Sequence, residues 1–241
     1  MAGHSHAANI AHRKGAQDAA RGKIFQKLSK EIYVAASLGG PDVETNPALK
    51  LAVSKAKAKN MPKDNIERAI AKAKGDKNSS AYIETLFNAT VSGGVTFLVV
   101  TLSDNINRVT SNIQAFFNKQ NAPLGKTNQL PFSFDKKGII EISKELVDED
   151  TLMMTVLEAG AENLEVEEES YVVLTQPDTF SEVKKAIEED LKIETFIQCE
   201  VTYIPNTYVE VDAEKKQKLL DFAAKVEDDD DVQQVYHNIE L

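Results

Sequence analysis

The sequence predicts a multi-domain α+β protein, with an N-terminal three-helix domain followed by two small, sandwich-like α+β domains. Two features of the pattern lead to this prediction. Apolar residues recur at helical spacing through the first third, and the period changes to two after Lys77. Strand and helix patterns then alternate in short units without long crossovers. A chain of 241 residues has room for two or three small domains of this kind.

Three helix patterns follow one another in the first third of the chain. An apolar stripe that includes Ile24 ends before Gly39, since glycine favours a helix C-terminus. Asn46 followed by Pro47 is typical of a helix N-terminus, and Pro62 indicates a third start. Three short helices of this kind can bury a common apolar core and leave their lysines in water.

The rest of the chain alternates between strands and helices. Residues 82–91 and 95–102 predict a β-hairpin, and Asp104 is expected to cap the helix that follows. A second hairpin is expected from residues 132–134 and 139–142. The remaining patterns predict helices at 151–159, 179–190 and 213–226 and strands at 163–167, 171–175, 195–204, 207–211 and 232–239.

The charge of the chain is divided unevenly along its length. The formal net charge is −10, which taken alone argues against a polyanionic partner. Residues 1–77, however, hold 15 Lys and Arg against 7 Asp and Glu, a net +8, so that residues 78–241 carry −18. Acidic side chains would keep a helix surface equally soluble, so this lysine excess favours nucleic-acid binding over a merely solvated surface.

The candidate phosphate contacts are the basic residues of this first part of the chain. They are His12, Arg13, Lys14, Arg21, Lys23, Lys27, Lys30, Lys50, Lys55, Lys57, Lys63 and Arg68. Contacts of this type position a protein on nucleic acid without specifying sequence. The sequence has few Asn, Gln or Arg arrays typical of a base-reading helix. Binding by shape, or to structured RNA, therefore agrees with the sequence at least as well as operator recognition does.

The sequence carries no enzyme or cofactor signature. Residues Leu124–Thr127 resemble the last residues of a phosphate-binding loop, but Gln120 stands where that motif requires glycine. A serine elbow, a zinc-protease helix and a dinucleotide fingerprint are also absent from the sequence. We therefore expect no catalytic residue, no cofactor and no enzyme activity.

Two groups of side chains in the sequence have the chemistry of metal ligands. His4, His6 and His12 supply imidazoles, but no cysteine or obvious carboxylate partner accompanies them. The acidic run Glu227–Asp231 could chelate a hard cation, but its position between a helix and a strand favours a solvated turn. We expect no metal site at either place.

The single cysteine and the lack of long apolar segments indicate a cytoplasmic protein. Cys199 cannot form an intramolecular disulfide, and its alternation with Ile197, Val201 and Tyr203 predicts a small core residue on a strand. The longest apolar stretch, at residues 95–102, is too short to span a bilayer. We expect neither a signal peptide nor a membrane partner.

Two long blocks resemble the signatures of the YebC/TACO1 family. The run His4–Lys14, continued by Arg21–Phe25, resembles the opening of that family, and Asn60–Ile70 resembles its second signature. The resemblance extends along the whole chain and weakens after residue 78. The sequence departs from the family pattern at Ala8, where the family often has Trp, at Phe87–Val91, and in the loop Asn121–Lys126, which is poorer in glycine.

The resemblance implies three lobes and a regulatory role. The lobes would be a basic helical domain at 1–78, a discontinuous middle domain at 79–130 plus 206–241, and a third domain at 131–205. Bacterial members are labelled DNA-binding transcriptional regulators, whereas the organellar branch and some bacterial members are regarded as translation factors at the ribosome.

The implied partner is therefore a nucleic acid, either duplex DNA or ribosomal RNA. A DNA-binding transcriptional regulator is the leading hypothesis, and a translation factor that binds ribosomal RNA or the ribosome is the alternative. A third hypothesis, from a different class, is a protein-interaction scaffold whose acidic domains recruit a basic partner.

Overall fold

The computed structural model describes residues 21–75 and 82–240. The helices within these residues are α1 Arg21–Gly39, α2 Pro47–Ala58, α3 Lys63–Gly75, α4 Ile106–Asn118, α5 Glu149–Glu158, α6 Phe180–Asp190 and α7 Ala213–Glu227. The strands are β1 Ile83–Thr90, β2 Thr96–Ser103, β3 Phe134–Ser143, β4 Asn163–Val166, β5 Ser170–Thr175, β6 Gln198–Pro205 and β7 Val232–His237. Residues Lys136–Ile204 form one compact unit, and the remaining described residues form another.

The first three helices pack around a shared apolar core, as the sequence predicts. Ile32 of α1, with Leu49 and Ala56 of α2, is fully buried. Asn46 joins the first two helices, because its Oδ1 atom accepts a hydrogen bond from the Leu49 N–H at 3.1 Å and its Nδ2 donates to the Ala35 carbonyl at 2.8 Å. The predicted cap is thus also a buried link between the end of α1 and the start of α2.

A tight turn connects α2 to α3. Asn60 has a φ of 57°, and the Met61 N–H donates to the Ala56 carbonyl at 3.0 Å, which closes the end of α2. Met61 is buried in the helical core, and Pro62 directly precedes α3. The second signature block therefore encodes a helix stop, a core anchor and a helix start in immediate succession.

A three-stranded antiparallel sheet in the order β1–β2–β7 carries α4 and α7 in one apolar cluster. Phe97 of β2, Phe117 of α4 and Phe222 of α7 meet at its centre, with ring centroids 5.2 to 6.0 Å apart. Aromatic rings at this separation and in tilted or edge-to-face orientation add to the area that they bury. The predicted hairpin of β1 and β2 is confirmed, because residues 83–90 pair with residues 96–103 in antiparallel register without a break.

The loop after α4 lies along the outer edge of β1. The Gly125 N–H donates to the Asn88 carbonyl at 2.8 Å, and the Asn88 Nδ2 donates to the Lys126 carbonyl at 3.2 Å. A Cβ atom on Gly125 would overlap the Asn88 side chain. The two segments in which the sequence departs from the family pattern are therefore in contact with each other, and they protect the free edge of the sheet.

The unit Lys136–Ile204 contains a four-stranded sheet in the order β4–β5–β3–β6. Its core includes Ile139 of β3, Val172 of β5 and Ile204 of β6. Helices α5 and α6 contact each other and bury Val156 and Val183. This arrangement confirms the predicted fold class, in which strands and helices interleave in short α+β units.

The hairpin predicted from residues 132–134 and 139–142 is instead one continuous strand, β3. Gly138 pairs with Thr175 of β5, and a Cβ atom there would lie 2.5 Å from Cδ2 of Phe180. The glycine is required by the close approach of the Thr175 and Phe180 side chains, not by a turn. A sequence pattern does not distinguish these two uses of glycine, so the prediction was wrong.

The cap of α4 is Asn105 and not the predicted Asp104. Asn105 Oδ1 accepts from the Arg108 backbone N–H at 3.0 Å, whereas the Asp104 carboxylate accepts from the Arg108 guanidinium. Ile106, predicted to join the apolar face of this helix, is 42% exposed. Asp and Asn are both good caps, so a neighbouring pair of them leaves the helix start uncertain by one residue.

The predicted inward face of β6 is only partly correct, since Tyr203 is buried but Ile197 and Cys199 are not. Gln198, Thr202 and Ile204 are buried, whereas Ile197 is 44% exposed and Cys199 is half-buried. The strand also begins later than predicted. Apolar residues occur on both faces of this strand, and a period of two does not say which face points inward.

The strand predicted at 207–211 is absent. Val209 makes only an isolated parallel bridge with Ile239, and its N–H donates to the Asn238 carbonyl at 2.7 Å. The last strand also ends at His237, before the predicted limit.

Replacement of Asn46 by Ala is expected to lower the free energy of unfolding by about 1 to 2 kcal/mol, because the α2 cap and the link to α1 are both lost. The measurement is urea unfolding followed by circular dichroism. Asn107→Ala, at an exposed position in the first turn of α4, is the control and is expected to change stability by about 0.5 kcal/mol or less. Equal effects of the two variants would contradict the role given to Asn46.

Cys199 is expected to react slowly with thiol reagents in the folded protein. Burial raises the pKa of its thiol to about 12, and the thiolate is the reactive form. Near pH 8 we expect alkylation of the folded chain to be at least about a hundred-fold slower than that of the urea-unfolded chain. Similar rates in the two states would show that the thiol is open to solvent.

Candidate nucleic-acid interface

The structure places the predicted phosphate contacts on three helices. His12, Arg13 and Lys14 lie outside the described residues, and Arg21 is the first residue of α1. The others are Lys23, Lys27 and Lys30 on α1, Lys50, Lys55 and Lys57 on α2, and Lys63 and Arg68 on α3. These eight side chains do not form one surface of equal exposure, because their partners differ from helix to helix.

The three lysines of α1 face the acidic run Glu227–Asp231, which we call the acidic turn. Lys23 forms an ion pair with the Asp228 carboxylate. Lys27 Nζ donates to the backbone carbonyl of Glu227 at 2.5 Å, and Lys30 Nζ lies 3.3 Å from Asp231 Oδ1. The sequence analysis assigned these lysines to phosphates and the acidic turn to solvent, whereas the structure brings them together.

The acidic turn is anchored on its other side by α4. The Arg108 guanidinium donates to both carboxylate oxygens of Asp231, from Nε at 3.0 Å and from Nη2 at 3.1 Å. Asn112 Nδ2 donates to Asp229 at 3.2 Å. Asp231 is 5% exposed and its carbonyl accepts from the Leu102 N–H at 2.8 Å. The turn is therefore held in a defined conformation, as a buried carboxylate requires paired donors.

Two pKa shifts accompany the contact with α1. The hydrogen bond from Lys23 holds the pKa of Asp228 below its usual value, so this carboxylate stays ionised to lower pH than a free aspartate. Burial lowers the pKa of Lys27, and the nearby charges of Glu227 and Asp228 oppose that effect. The ammonium of Lys27 is thus partly desolvated in this contact, while Asp228 remains at the surface.

The basic residues of α2 and α3 have different surroundings. Lys55 is half-buried and points to Glu31 of α1, with 3.6 Å between Nζ and Oε2, so it belongs to the packing of the helical part. Lys50 Nζ is 3.8 Å from Glu44 with both side chains exposed, and Lys57 is exposed near the end of α2. An exposed ion pair at this distance restrains a lysine only weakly.

The start of α3 continues this exposed basic surface. The Lys63 side chain is 86% exposed and lies 3.6 Å from Glu67, and Arg68 is exposed and donates to Asn65. We call Lys50, Lys57, Lys63 and Arg68 the exposed basic set. Apart from Lys23, which is ion-paired with Asp228, these four are the described candidate residues whose side chains are exposed.

Sequence analysis missed two further cations on α3. Lys72 is exposed, with its Nζ 5.5 Å from the centre of the Tyr33 ring, and Lys74 is exposed in the last turn. Lys72 follows Arg68 by four residues, which places the two on the same side of the helix. That spacing was the signal that could have identified Lys72.

The described residues give no support to a metal site. Within 21–75 and 82–240, no group of three His, Cys, Asp or Glu side chains is arranged to hold a metal ion. Three carboxylates of the acidic turn, those of Asp228, Asp229 and Asp231, accept instead from lysine, asparagine and arginine donors.

None of the helices that the structure describes has both the length and the apolar character needed to cross a membrane.

Two family models match this chain. Residues 5–76 match the family model described as the TACO1/YebC protein N-terminal domain, and residues 82–239 match the TACO1/YebC second and third domain. The chain belongs to the TACO1/YebC family. The resemblance inferred from the two signature blocks is thereby confirmed.

Relatives of this TACO1/YebC chain match it over nearly their full length. A probable transcriptional regulatory protein of Mycoplasmopsis synoviae is 67% identical and both chains are covered completely. A probable transcriptional regulatory protein of a Geobacillus species is 47% identical over all of this chain and 98% of its own. The crystal structure of a conserved hypothetical protein from Aquifex aeolicus is 38% identical, with a TM-score of 0.76 over 92% of this chain and 91% of that one.

Asp231 is expected to be the energetic centre of the acidic turn. Asp231→Ala removes a buried carboxylate that pairs with Arg108 and Lys30, and should lower the free energy of unfolding by about 2 kcal/mol or more. Asp230→Ala, at an exposed position in the same turn, is the matched control, with an expected change of about 0.5 kcal/mol or less. Thermal and urea unfolding of both variants test this prediction. An Asp231→Ala variant with unchanged stability would contradict it.

Proposed function

We propose that this protein is a non-enzymatic, nucleic-acid-binding regulator of transcription. It contacts the phosphate backbone of duplex DNA through the exposed basic set, Lys50, Lys57, Lys63 and Arg68. The observation that carries the proposal is the exposure of these four cations on two adjacent helices, whereas Lys27, Lys30 and Lys55 are half-buried and Lys23 is ion-paired with Asp228. The names of the relatives as probable transcriptional regulatory proteins support the regulatory role.

The charge of the helical part supports a polyanionic partner. Residues 21–75 contain 12 Lys and Arg against 5 Asp and Glu, a net +7. Lysine ammonium groups bind phosphate as flexible point charges, and neutralising phosphates releases condensed counterions. Binding of this kind is strong at low ionic strength and falls steeply as salt is added.

The exposed side of α3 favours contacts to the backbone over base readout. Asp64 and Glu67 are exposed beside Lys63 and Arg68. Carboxylates lying deep in a groove would face phosphates on both sides, and the described part of α3 has no array of Asn, Gln or Arg aimed at base edges. The proposed mode is therefore recognition of duplex shape and phosphate spacing, with the same surface used on different sequences.

A second candidate function is binding of structured ribosomal RNA to assist translation. The mixed charge of the α3 surface favours this candidate as well, because an RNA helix is recognised mainly through its shape and its phosphates. The two candidates share the exposed basic set and differ in the form of the nucleic acid that fits it.

Substitution in the exposed basic set tests the proposal. Lys57→Glu combined with Lys63→Glu should weaken binding of the full chain to a short DNA duplex by about ten-fold or more and reduce the salt slope by about 2. Lys185→Glu combined with Lys218→Glu is the control, since it changes the net charge equally at exposed sites on α6 and α7. The measurement is fluorescence anisotropy over a series of salt concentrations.

The choice of ligand separates the two candidates. The transcriptional function is supported if the chain binds the duplex more tightly than an RNA hairpin of equal length. The Lys57→Glu and Lys63→Glu variant should then lose its affinity for the duplex. The reverse preference supports the RNA candidate. Equal losses in the variant and its control, or the lack of binding to either probe, overturn the role of the exposed basic set.

A further inference from the structure

The acidic turn occupies the side of α1 that carries a row of lysines. Lys23, Lys27 and Lys30 are spaced by four and three residues, which places them along one side of the helix. All three ammonium groups donate hydrogen bonds to the acidic turn, where carboxylate or backbone carbonyl oxygens accept them. The row would otherwise have belonged to the basic surface of the helical part.

We propose that the acidic turn Glu227–Asp231 is a built-in substitute for a phosphate backbone, which covers the lysine row of α1 until a nucleic acid displaces it. This inference rests on the proposed function and adds a second contact surface to it. The ligand of the uncovered row is a phosphodiester chain. The exposed basic set makes the first contact, and the lysine row becomes available only after the acidic turn has left it.

The dimensions of the row agree with this ligand. A rise of about 1.5 Å per residue gives about 10 Å between the Cα atoms of Lys23 and Lys30, and about three phosphates of one B-DNA strand fit in that axial length. Phosphate oxygens accept charge-assisted hydrogen bonds from ammonium groups in the same way as the carboxylates that the row contacts now.

The contacts on the two sides of the acidic turn differ in strength. Towards α1, the Lys23 and Asp228 side chains are both exposed, at 44% and 63%. The Lys30 contacts are long, at 3.3 and 3.4 Å, although Asp231 itself is buried, and Lys27 makes one short contact, to a backbone carbonyl and not to a carboxylate. Towards α4, Arg108 binds the buried Asp231 with a two-pronged hydrogen bond. An exposed ion pair with a single contact exchanges readily with solvent and salt, whereas two parallel hydrogen bonds to a buried carboxylate hold the half-exposed Arg108 more firmly. The turn therefore has a fixed attachment to α4 and a releasable attachment to α1.

The closed contact also repels a polyanion. The acidic turn holds five carboxylates against three lysines of α1 and Arg108 of α4, and the exposed ones include Asp228 and Asp230. A phosphate backbone that approaches the lysine row while the acidic turn covers it meets this excess of negative charge. Only a ligand already held by the exposed basic set has the local concentration needed to compete with the turn.

Neutralising the exposed carboxylates of the turn should expose the row. Asp228→Asn combined with Asp230→Asn is expected to tighten binding of the full chain to the DNA duplex by about five-fold at low salt, because the competing ion pairs are weakened. Glu214→Gln combined with Asp221→Asn removes the same charge from exposed positions elsewhere on α7. This control is expected to change affinity by less than about two-fold.

A double-mutant cycle separates local masking from a general change of charge. In a Lys23→Gln and Lys27→Gln background, the gain from the two asparagine substitutions should fall to that of the control, since no row remains to be uncovered. A gain of the same size in that background, or in the control alone, overturns the inference. If the wild type binds through Lys57 and Lys63 while the turn variants behave like the control, the inference fails and the proposed function stands.

Chemical modification gives a test that does not depend on a nucleic-acid ligand. In the wild type, acetylation of lysines followed by mass spectrometry should modify Lys23 and Lys27 several-fold more slowly than Lys57. The Asp228→Asn and Asp230→Asn variant should raise the rates at Lys23 and Lys27 several-fold and leave Lys57 unchanged. Equal rates at all three lysines in the wild type, or no change in the variant, show that the row is not covered.

Discussion

The pairing of Asp231 is the interaction on which the arrangement of the charged surface depends. A carboxylate that is 5% exposed is costly unless donors surround it. Arg108 of α4 and Lys30 of α1 supply those donors, one from the sheet-bearing part of the chain and one from the basic helices. The same short turn therefore stabilises the end of α7, the start of β7 and the contact between these two parts.

This pairing changes the meaning of the charge distribution. Along the sequence, +8 and −18 lie in separate segments, which suggests one basic and one acidic surface. In the folded chain the most concentrated acidic run lies against the first basic helix, so part of each charge is neutralised internally. The basic surface that remains open is the smaller one on α2 and α3, and the proposed function and the proposed masking of α1 both follow from that division.

The fold was predictable where interactions between neighbouring residues allow only one local structure. Asn46 before Pro47, and Pro62, mark helix starts through interactions within a few residues, and these two predictions were confirmed. The errors fell where one residue type serves two purposes. Gly138 makes room for Phe180 and was mistaken for a turn, and Cys199 lies on a strand whose inward face depends on packing elsewhere.

The sequence by itself determined the family, the fold class and the identity of the basic residues. Period, caps and signature blocks are properties of neighbouring residues and need no tertiary information. Only the tertiary structure decided which of those basic residues face solvent. Lys23 and Asp228 are 205 positions apart, and the helical period that places Lys23 on a polar face is the same whether that face meets water, phosphate or carboxylate. Pairing over that separation is set by the packing of the intervening chain, so local pattern alone does not reveal it.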